Sequence, residues 1–236
     1  MNVFYSLTRN LYPYLQWSIT SLLEHNKDVN LYIFAEDETL PFDIPCEHQI
    51  ADVSGQKYFG LECPNINSPF TYMAMIRVCL PEMLSIDKVI SLDVDTIICD
   101  SIEPLWETDL TGKWIGWCQE YFGKYKPFCA KYYNMGVTVM NLEQMRKDGF
   151  TPKAVKMLNT ETFPYIDQCV TNKLAVPDMT VDIPVRYNES FCCGYTDEPA
   201  IVHYAGYRNW YENQTMFRKG FLNKYRGEQH ERNQII

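Results

Sequence analysis

Apolar residues follow two rhythms along the first half of the chain. Asn2–Leu7 is a near-continuous apolar run, the pattern of a strand buried on both faces, and polar Thr8–Asn10 follows it as a loop. From Tyr12 to His25 the spacing turns helical, with Leu15, Ile19, Leu22 and Leu23 on one stripe. Val29–Ala35 is the next apolar run and predicts a second strand. A strand–helix–strand opening of this kind argues for an α/β fold whose parallel sheet is covered on both faces.

Residues 36–69 are rich in Pro, Asp, Gly and Asn, with one short strand expected at Gln49–Val53. A helix is expected from Phe70 to Leu84, with Met75, Ile76, Cys79, Leu80 and Met83 on one face and Pro81 positioned to end it early. The run DKVISLDVDTIICDS then predicts a strand at Lys88–Leu92 that carries Asp93, Val94 and Asp95 past its carboxyl end. Further strands are expected at Trp114–Cys118, Gly136–Met140, Thr180–Ile183 and Ala200–Tyr204. Short helices are expected at Leu142–Lys147, Pro152–Leu158 and Asp167–Leu174. No internal repeat, low-complexity tract or linker interrupts the series, so a single domain is expected.

Composition narrows the function classes. The chain has 236 residues, 46% of them hydrophobic, which is enough apolar content to build a core and excludes disorder. Thirty acidic residues against 21 basic ones give a net charge of -9, the wrong sign for a nucleic-acid binder. Nine cysteines form no C-x-x-C pair and several lie in apolar runs, which reads as reduced thiols in a cytoplasmic protein. Vicinal Cys192 and Cys193 are the one arrangement open to a redox or metal role. The segment MNVFYSLTRN has no basic leader, and no stretch reaches the roughly 18 apolar residues of a membrane span. Residues 218–236 form a short basic and aromatic tail, with Arg218, Lys219, Lys224, Arg226 and Arg232 interleaved with Phe221, Leu222 and Tyr225. Such a tail is either solvated or laid against an anionic membrane face.

Asp93-Val94-Asp95 is the sharpest local signal. Ligands of open α/β sheets bind beyond the carboxyl ends of the strands, and two carboxylates there suit Mn²⁺ or Mg²⁺. A cation with open coordination positions bridges the oxygens of a diphosphate, which lets an acidic protein hold an acidic ligand. The plainer alternative is that the two aspartates cap a turn. His203, at the end of another apolar strand, either completes the metal set or makes a structural hydrogen bond. Gly206 lets backbone approach a phosphate, and Arg208 offers it charge. Asn134 enters a buried strand, where an amide needs a partner, or else belongs to a turn. Asn141 reads as a helix cap; Asp167 is either a cap or a site residue. The abundant aromatics are mostly core, with some free to present platforms to sugar faces.

Taken together, the segments resemble the family 8 retaining glycosyltransferases, which include lipopolysaccharide galactosyl- and glucosyltransferases and glycogenin. The run DKVISLDVDTIICDSIEPLWETDLTGKWIG is similar to that family's central strand, D-x-D and D-S-I-x-P-L-W series. YYNMGVTVMNLEQMR is similar to its F-N-x-G-V-x-x-x-N-L-x-x-W-R segment, IDQCVTNKL to its D-Q-D-x-x-N helix and HYAG to its H-x-x-G. The order is the family's over roughly residues 1–215. The resemblance implies a GT-A fold, one Rossmann-like domain over residues 1–217, binding UDP-glucose or UDP-galactose through Mn²⁺ or Mg²⁺. It implies metal ligation by Asp93, Asp95 and His203, and donor contacts from Ser6, Thr8, Asn10, Arg77, Val94, Gly206 and Arg208. Asn134, Asp167 and Gln168 would line the donor sugar, Gln168 nearest the anomeric carbon.

This sequence departs from the family pattern at three points: Thr8-Arg9-Asn10-Leu11 replaces an acidic-acidic-Asn-Tyr loop, Cys169 replaces the second Asp of D-Q-D, and Arg208-Asn209-Trp210 replaces Lys-Pro-Trp. The expected activity is transfer of a hexose from the UDP-sugar to a saccharide or other hydroxyl acceptor. Two rivals stand beside it. One is a nucleotide-sugar or glycan binder without transfer activity. The other is a haloacid-dehalogenase-like phosphatase, disfavoured by Ile97 at the fourth position after Asp93 and by the late position of the motif.

Overall fold

A computed structural model describes residues 1–121, 131–206 and 220–225. In chain order the main elements are β1 (Asn2–Ser6), α1 (Tyr12–His25), β2 (Asn30–Ala35), β3 (Glu47–Asp52), α2 (Tyr72–Ile76), α3 (Leu80–Met83), β4 (Lys88–Leu92) and β5 (Thr96–Ile98). They continue with α4 (Glu103–Trp106), β6 (Ile115–Gln119), β7 (Tyr133–Asn141), α5 (Leu142–Lys147), α6 (Phe150–Thr160), α7 (Ile166–Leu174), β8 (Thr180–Asp182) and β9 (Ile201–His203). Seven strands form one sheet in the order β3-β2-β1-β4-β7-β6-β8, and β5 pairs with β9 in a separate antiparallel ribbon.

The sheet divides the apolar side chains by the period of two that a strand imposes. Phe4 and Val89 point to one face, where α2, α3, α5, α6 and α7 supply Met75, Leu80, Leu142, Phe150 and Val170. Val3, Tyr5 and Ile90 point to the other, where α1 contributes Leu15, Ile19 and Leu22. Helices on both faces leave β1 and β4 without a solvent side, which is why they read as continuous apolar runs. The sheet is Rossmann-like and mostly parallel, the architecture expected of a GT-A fold.

The exception to the parallel arrangement shapes the site. β7 runs antiparallel to both β4 and β6, whereas β1, β2 and β4 run together and β8 runs with β6. The start of β7 therefore lies at the same sheet edge as the carboxyl ends of β1, β4 and β6. Trp117 pairs with Thr138, but the next residue, Cys118, pairs with Asn134, so Met135, Gly136 and Val137 have no partner on β6. Bulges of this kind re-aim side chains beside functional sites.

Local departures from the expected elements have physical causes. The helix expected from Phe70 to Leu84 is broken by a 3-10 turn at Arg77–Cys79, because Pro81 has no N–H to return to the carbonyl of Arg77; Leu80 N–H bonds there instead. Pro81 thus starts α3 rather than ending the helix. β3 is an edge strand whose EHQIAD sequence is almost wholly exposed, a polar edge that resists pairing with other chains. β5 and α4, of three and four residues, are too short to show a periodicity.

The eight described cysteines are free, Cys192 and Cys193 among them. Residues 220–225 are helical, and Leu222 and Tyr225 are buried with Trp17, Ile97, Val202 and Tyr204 in a third apolar cluster. Lys224 Nζ pairs with Glu24 of α1 at 2.5 Å. This stretch of the tail is packed onto the protein by its apolar side chains. Among the described residues, no helix is long and apolar enough to cross a membrane.

Candidate active site

A cleft of about 330 Å³ opens at the carboxyl ends of β1 and β4. Ser6, Arg77, Asp93, Val94, Asp95, Asp167 and Gln168 line it, so seven residues expected at the site meet there from four separate elements. Ser6 closes β1 and donates its hydroxyl to Met73 O at 3.0 Å, which ties the first strand to α2. Asp93 leaves β4 with its N–H on Gly136 O at 2.7 Å, and Asp95 O accepts from Tyr204 N at 2.9 Å. The two aspartates are thereby clamped between β7 and the residue after β9. Their carboxylates face the cleft and serve no cap.

Arg77 joins the two sides of the cleft. Its guanidinium is buried and reaches Asp93 Oδ1 at 2.5 Å, Asp167 Oδ2 at 2.8 Å and Met135 O at 2.9 Å. The planar fork of arginine suits this three-way contact, which a lysine ammonium would not reproduce. Burial alone would lower the Arg77 pKa, but Asp167 and Asp93 outweigh it and hold the cation charged. Burial raises the Asp167 carboxyl to about 6, even though Arg77 pulls the other way.

His203 lies at 3% exposure beneath the aspartates, its Nε2 3.3 Å from Asp95 Oδ1 and 3.7 Å from Asp93 Oδ2. Its Nδ1 bonds Asn188 Oδ1 at 2.8 Å; a carbonyl oxygen only accepts, so the proton sits on Nδ1 and Nε2 is the nitrogen turned to the carboxylates. One ligand atom each from Asp93, Asp95 and His203 lies within 4.8 Å of the others. Two carboxylates and an imidazole of defined tautomer fit a divalent cation such as Mn²⁺ or Mg²⁺. Asp93 divides its oxygens, Oδ1 to Arg77 and Oδ2 toward this set.

Opposite stand Asp167 and Gln168 at the start of α7. Asn172, one turn on, accepts from Tyr133 N at 2.7 Å and donates to Tyr133 O at 2.8 Å, which docks α7 to the start of β7. Gln168 accepts from Met135 N at 3.0 Å and donates to Glu120 at 3.1 Å. Asn134 is buried behind the cleft, bonded to Glu120, Asn188 and Gly136 N. Cys169, in place of an aspartate, is buried against Tyr132, whose hydroxyl lies 3.1 Å from its sulfur.

Other expected positions stand apart from the cleft. Thr8 donates to Asn10 at 2.6 Å on an exposed turn, and neither lines the cavity; Leu7 and Leu11 do. Arg9 of that turn is bound bidentately by Asp37, and Tyr12 donates its hydroxyl to Asp37 at 3.0 Å. Gly206 is exposed with φ 77°, a left-handed conformation that suits glycine. Arg208 lies outside the described residues. Sequence reasoning passed over Glu120 and Asn188, and gave no role to Asn172 within the D-Q-D-x-x-N helix. The rule that singled out Asp93 applies equally to Glu120, which follows β6, whereas Asn188 follows a 3-10 turn with no sequence signature.

Residues 2–214 match the model of glycosyl transferase family 8. The chain belongs to that family. That membership leaves the phosphatase alternative without support. The structure is similar to that of the galactosyltransferase LgtC in complex with donor and acceptor sugar analogues, with a TM-score of 0.78 at 18% identity over 97% of this chain and 96% of that one. General stress protein A of Bacillus subtilis is 23% identical over 236 residues, covering 80% of this chain and 78% of its own length. A Haemophilus influenzae protein named for glycosyl transfer is 25% identical over 198 residues, covering 73% of this chain. This chain spans 58% of that relative's length.

Proposed function

We propose that this family 8 glycosyltransferase moves a hexose, glucose or galactose, from a UDP-sugar to a saccharide or other hydroxyl acceptor with retention of configuration. The observation that carries the reading is the convergence of Asp93 and Asp95, with His203 buried beneath them, in a cleft that Asp167 and Gln168 also line. Asp93, Asp95 and His203 would hold a divalent cation, Mn²⁺ or Mg²⁺, which would supply positive charge where the diphosphate leaves.

The chain's own residues then have separable tasks. Arg77 holds Asp93 and Asp167 at fixed separation across the cleft floor. Gln168 Oε1 spends one lone pair on Met135 N and keeps the other for the electron-poor anomeric centre. A neutral amide is a poor nucleophile, which favours attack by the acceptor on the face the leaving group vacates over a covalent intermediate. Leu7, Leu11 and Phe70 furnish apolar surface along the cleft for the base and ribose. Cytoplasmic residence is supported by the free thiols. A membrane contact of the tail is supported by its basic residues; among its described residues, Leu222 and Tyr225 turn inward.

The test is turnover of UDP-glucose and UDP-galactose with Mn²⁺, read as UDP release and product mass. Asp95→Asn is expected to abolish it; full activity of that variant in EDTA would refute the model. Binding without turnover across a panel of nucleotide-sugars would mark a binder instead.

A further inference from the structure

Glu120 follows β6 and is 8% exposed. Its N–H donates to Tyr132 O at 2.8 Å, which extends the β6–β7 pairing and leaves its side chain behind the cleft. A single oxygen, Oε1, accepts two amide donors: Asn134 Nδ2 at 2.8 Å and Gln168 Nε2 at 3.1 Å.

Each of those amides is pinned at its other end by a backbone N–H, which only donates. Gly136 N bonds Asn134 Oδ1 at 2.9 Å, and Met135 N bonds Gln168 Oε1 at 3.0 Å. With Asn134 oriented, its oxygen also accepts from Asn188 Nδ2 at 3.0 Å, and Asn188 Oδ1 in turn faces His203 Nδ1 at 2.8 Å. One arm of hydrogen bonds thus runs from Glu120 to the imidazole beside Asp93 and Asp95, and a second runs directly to Gln168. Removal of the shared acceptor strands the buried NH₂ group of Asn134 and takes from the half-buried NH₂ group of Gln168 the acceptor that fixes its orientation, and a donor that loses its partner is free to shift.

We propose that Glu120 is a positioning residue that sets both halves of the site through this shared acceptor oxygen, Gln168 by direct contact and His203 through Asn134 and Asn188. The catalytic half of the inference rests on the function proposed above; the hydrogen-bond half does not. Because Oε1 is needed as an acceptor and not as a charge, glutamine can replace glutamate and leucine cannot.

The experiment compares E120Q and E120L in the full chain with three readouts. In metal-free ¹⁵N-labelled protein, side-chain NH₂ exchange of Gln168 and Asn134 is expected to be slow in wild type and E120Q and fast in E120L. Titration with Mn²⁺ alone, read by electron paramagnetic resonance, is expected to weaken about tenfold in E120L, the size typical of lost partners behind metal ligands, and to recover in E120Q. With UDP-glucose or UDP-galactose, E120L is expected to lose about 30- to 100-fold in kcat with donor KM changed less than threefold, again with recovery in E120Q. Unchanged exchange and Mn²⁺ affinity in E120L overturn the proposal. So does an E120Q variant as impaired as E120L, since charge would then be the working feature. If E120L lacks a cooperative melt, Asn134→Asp sets an oxygen against Oε1 and is expected to weaken Mn²⁺ binding while Gln168 exchange stays slow; full Mn²⁺ affinity in that variant overturns the His203 arm. A wild type without turnover refutes the proposed function, while the exchange and Mn²⁺ readouts still decide the role of Glu120.

Discussion

The His203 ring packs tightly against Gly136: a Cβ built on Gly136 would collide with His203 Cε1 and stand 2.6 Å from Nε2. The imidazole is held from behind by Asn188 and from the side by the backbone of β7, so its position is set by packing before any ligand arrives. Glycine in N-M-G is required here by close approach, not by backbone conformation.

Gly136→Ala is therefore expected to force the ring away from Asp93 and Asp95. The overpacking should cost about 1–3 kcal/mol of stability and weaken Mn²⁺ binding at least tenfold. Urea unfolding and Mn²⁺ titration of the same preparation check it. Wild-type Mn²⁺ affinity in this variant would mean that the ring is free to move.

Arg77→Met removes the cation shared by Asp93 and Asp167 and leaves the buried Asp167 carboxylate without its partner. A loss of about 3–5 kcal/mol is expected at pH 8, the usual result of stripping one partner from a buried ion pair. The sign of its pH dependence follows from Asp167, whose folded-state pKa burial raises from 3.8 to about 6 and which rises further without Arg77. A carboxyl raised in this way contributes stability fully below 3.8 and loses it as pH climbs through the folded value. The penalty relative to wild type should thus shrink at pH 5. Chemical unfolding at the two pH values measures it, and equal penalties would place the damage elsewhere.

Much of this site was legible because one rule, ligands beyond the carboxyl ends of strands, locates Asp93 and Asp95 from the apolar run before them. The helix Tyr12–His25 was equally legible, its bounds set by a stripe of leucines and isoleucine with nothing to interrupt it. Hidden features share a different character. Asp167 looks like a helix cap from its neighbours, yet its carboxylate is claimed by Arg77, 90 positions away. The reversed direction of β7 is invisible in its composition, because a buried strand reads the same in either direction. Asn188 reaches its role only through the pairing of its neighbour Glu189 N–H with Ile201 O, a contact no local pattern announces. Family motifs brought Asn134 and Gln168 to notice, but the Glu120 oxygen that joins them lies outside those motifs.

Manganese affinity is expected to rise with pH, opposite in sign to the stability His203 confers on the metal-free protein. Burial alone would lower the His203 pKa, but Asp95 and Asp93 together outweigh it and raise it above 6.5. A histidine raised in this way stabilises the fold fully below pH 6.5 and loses that contribution as pH passes the folded value. The cation must displace the same proton, so affinity should fall about tenfold for each pH unit below that value. Free Mn²⁺ measured by electron paramagnetic resonance between pH 5.5 and 8.5 tests the coupling. A flat profile would exclude His203 from the ligand set.

The tail offers the last test, because its apolar residues stand in a position that matters to the site. Leu222 is 1% exposed and packs with Trp17, Ile97, Val202 and Tyr204, and Ile97 and Val202 pair within the β5–β9 ribbon that carries His203. Leu222→Ala is expected to cost about 2–5 kcal/mol, the range for a fully buried leucine, and truncation after residue 217 more than that. Local loosening of β9 should also weaken Mn²⁺ binding in the truncated chain, because Val202 and Tyr204 hold His203 between them. Thermal melting and the Mn²⁺ titration read the two effects separately. Co-sedimentation with anionic vesicles, run on the same pair, separates packing from membrane contact: full-length pelleting lost on truncation requires the basic residues to act outside this cluster. A truncated chain that melts with wild type and binds Mn²⁺ equally would show that residues 220–225 are a solvated appendage, and that the ribbon supports His203 unaided.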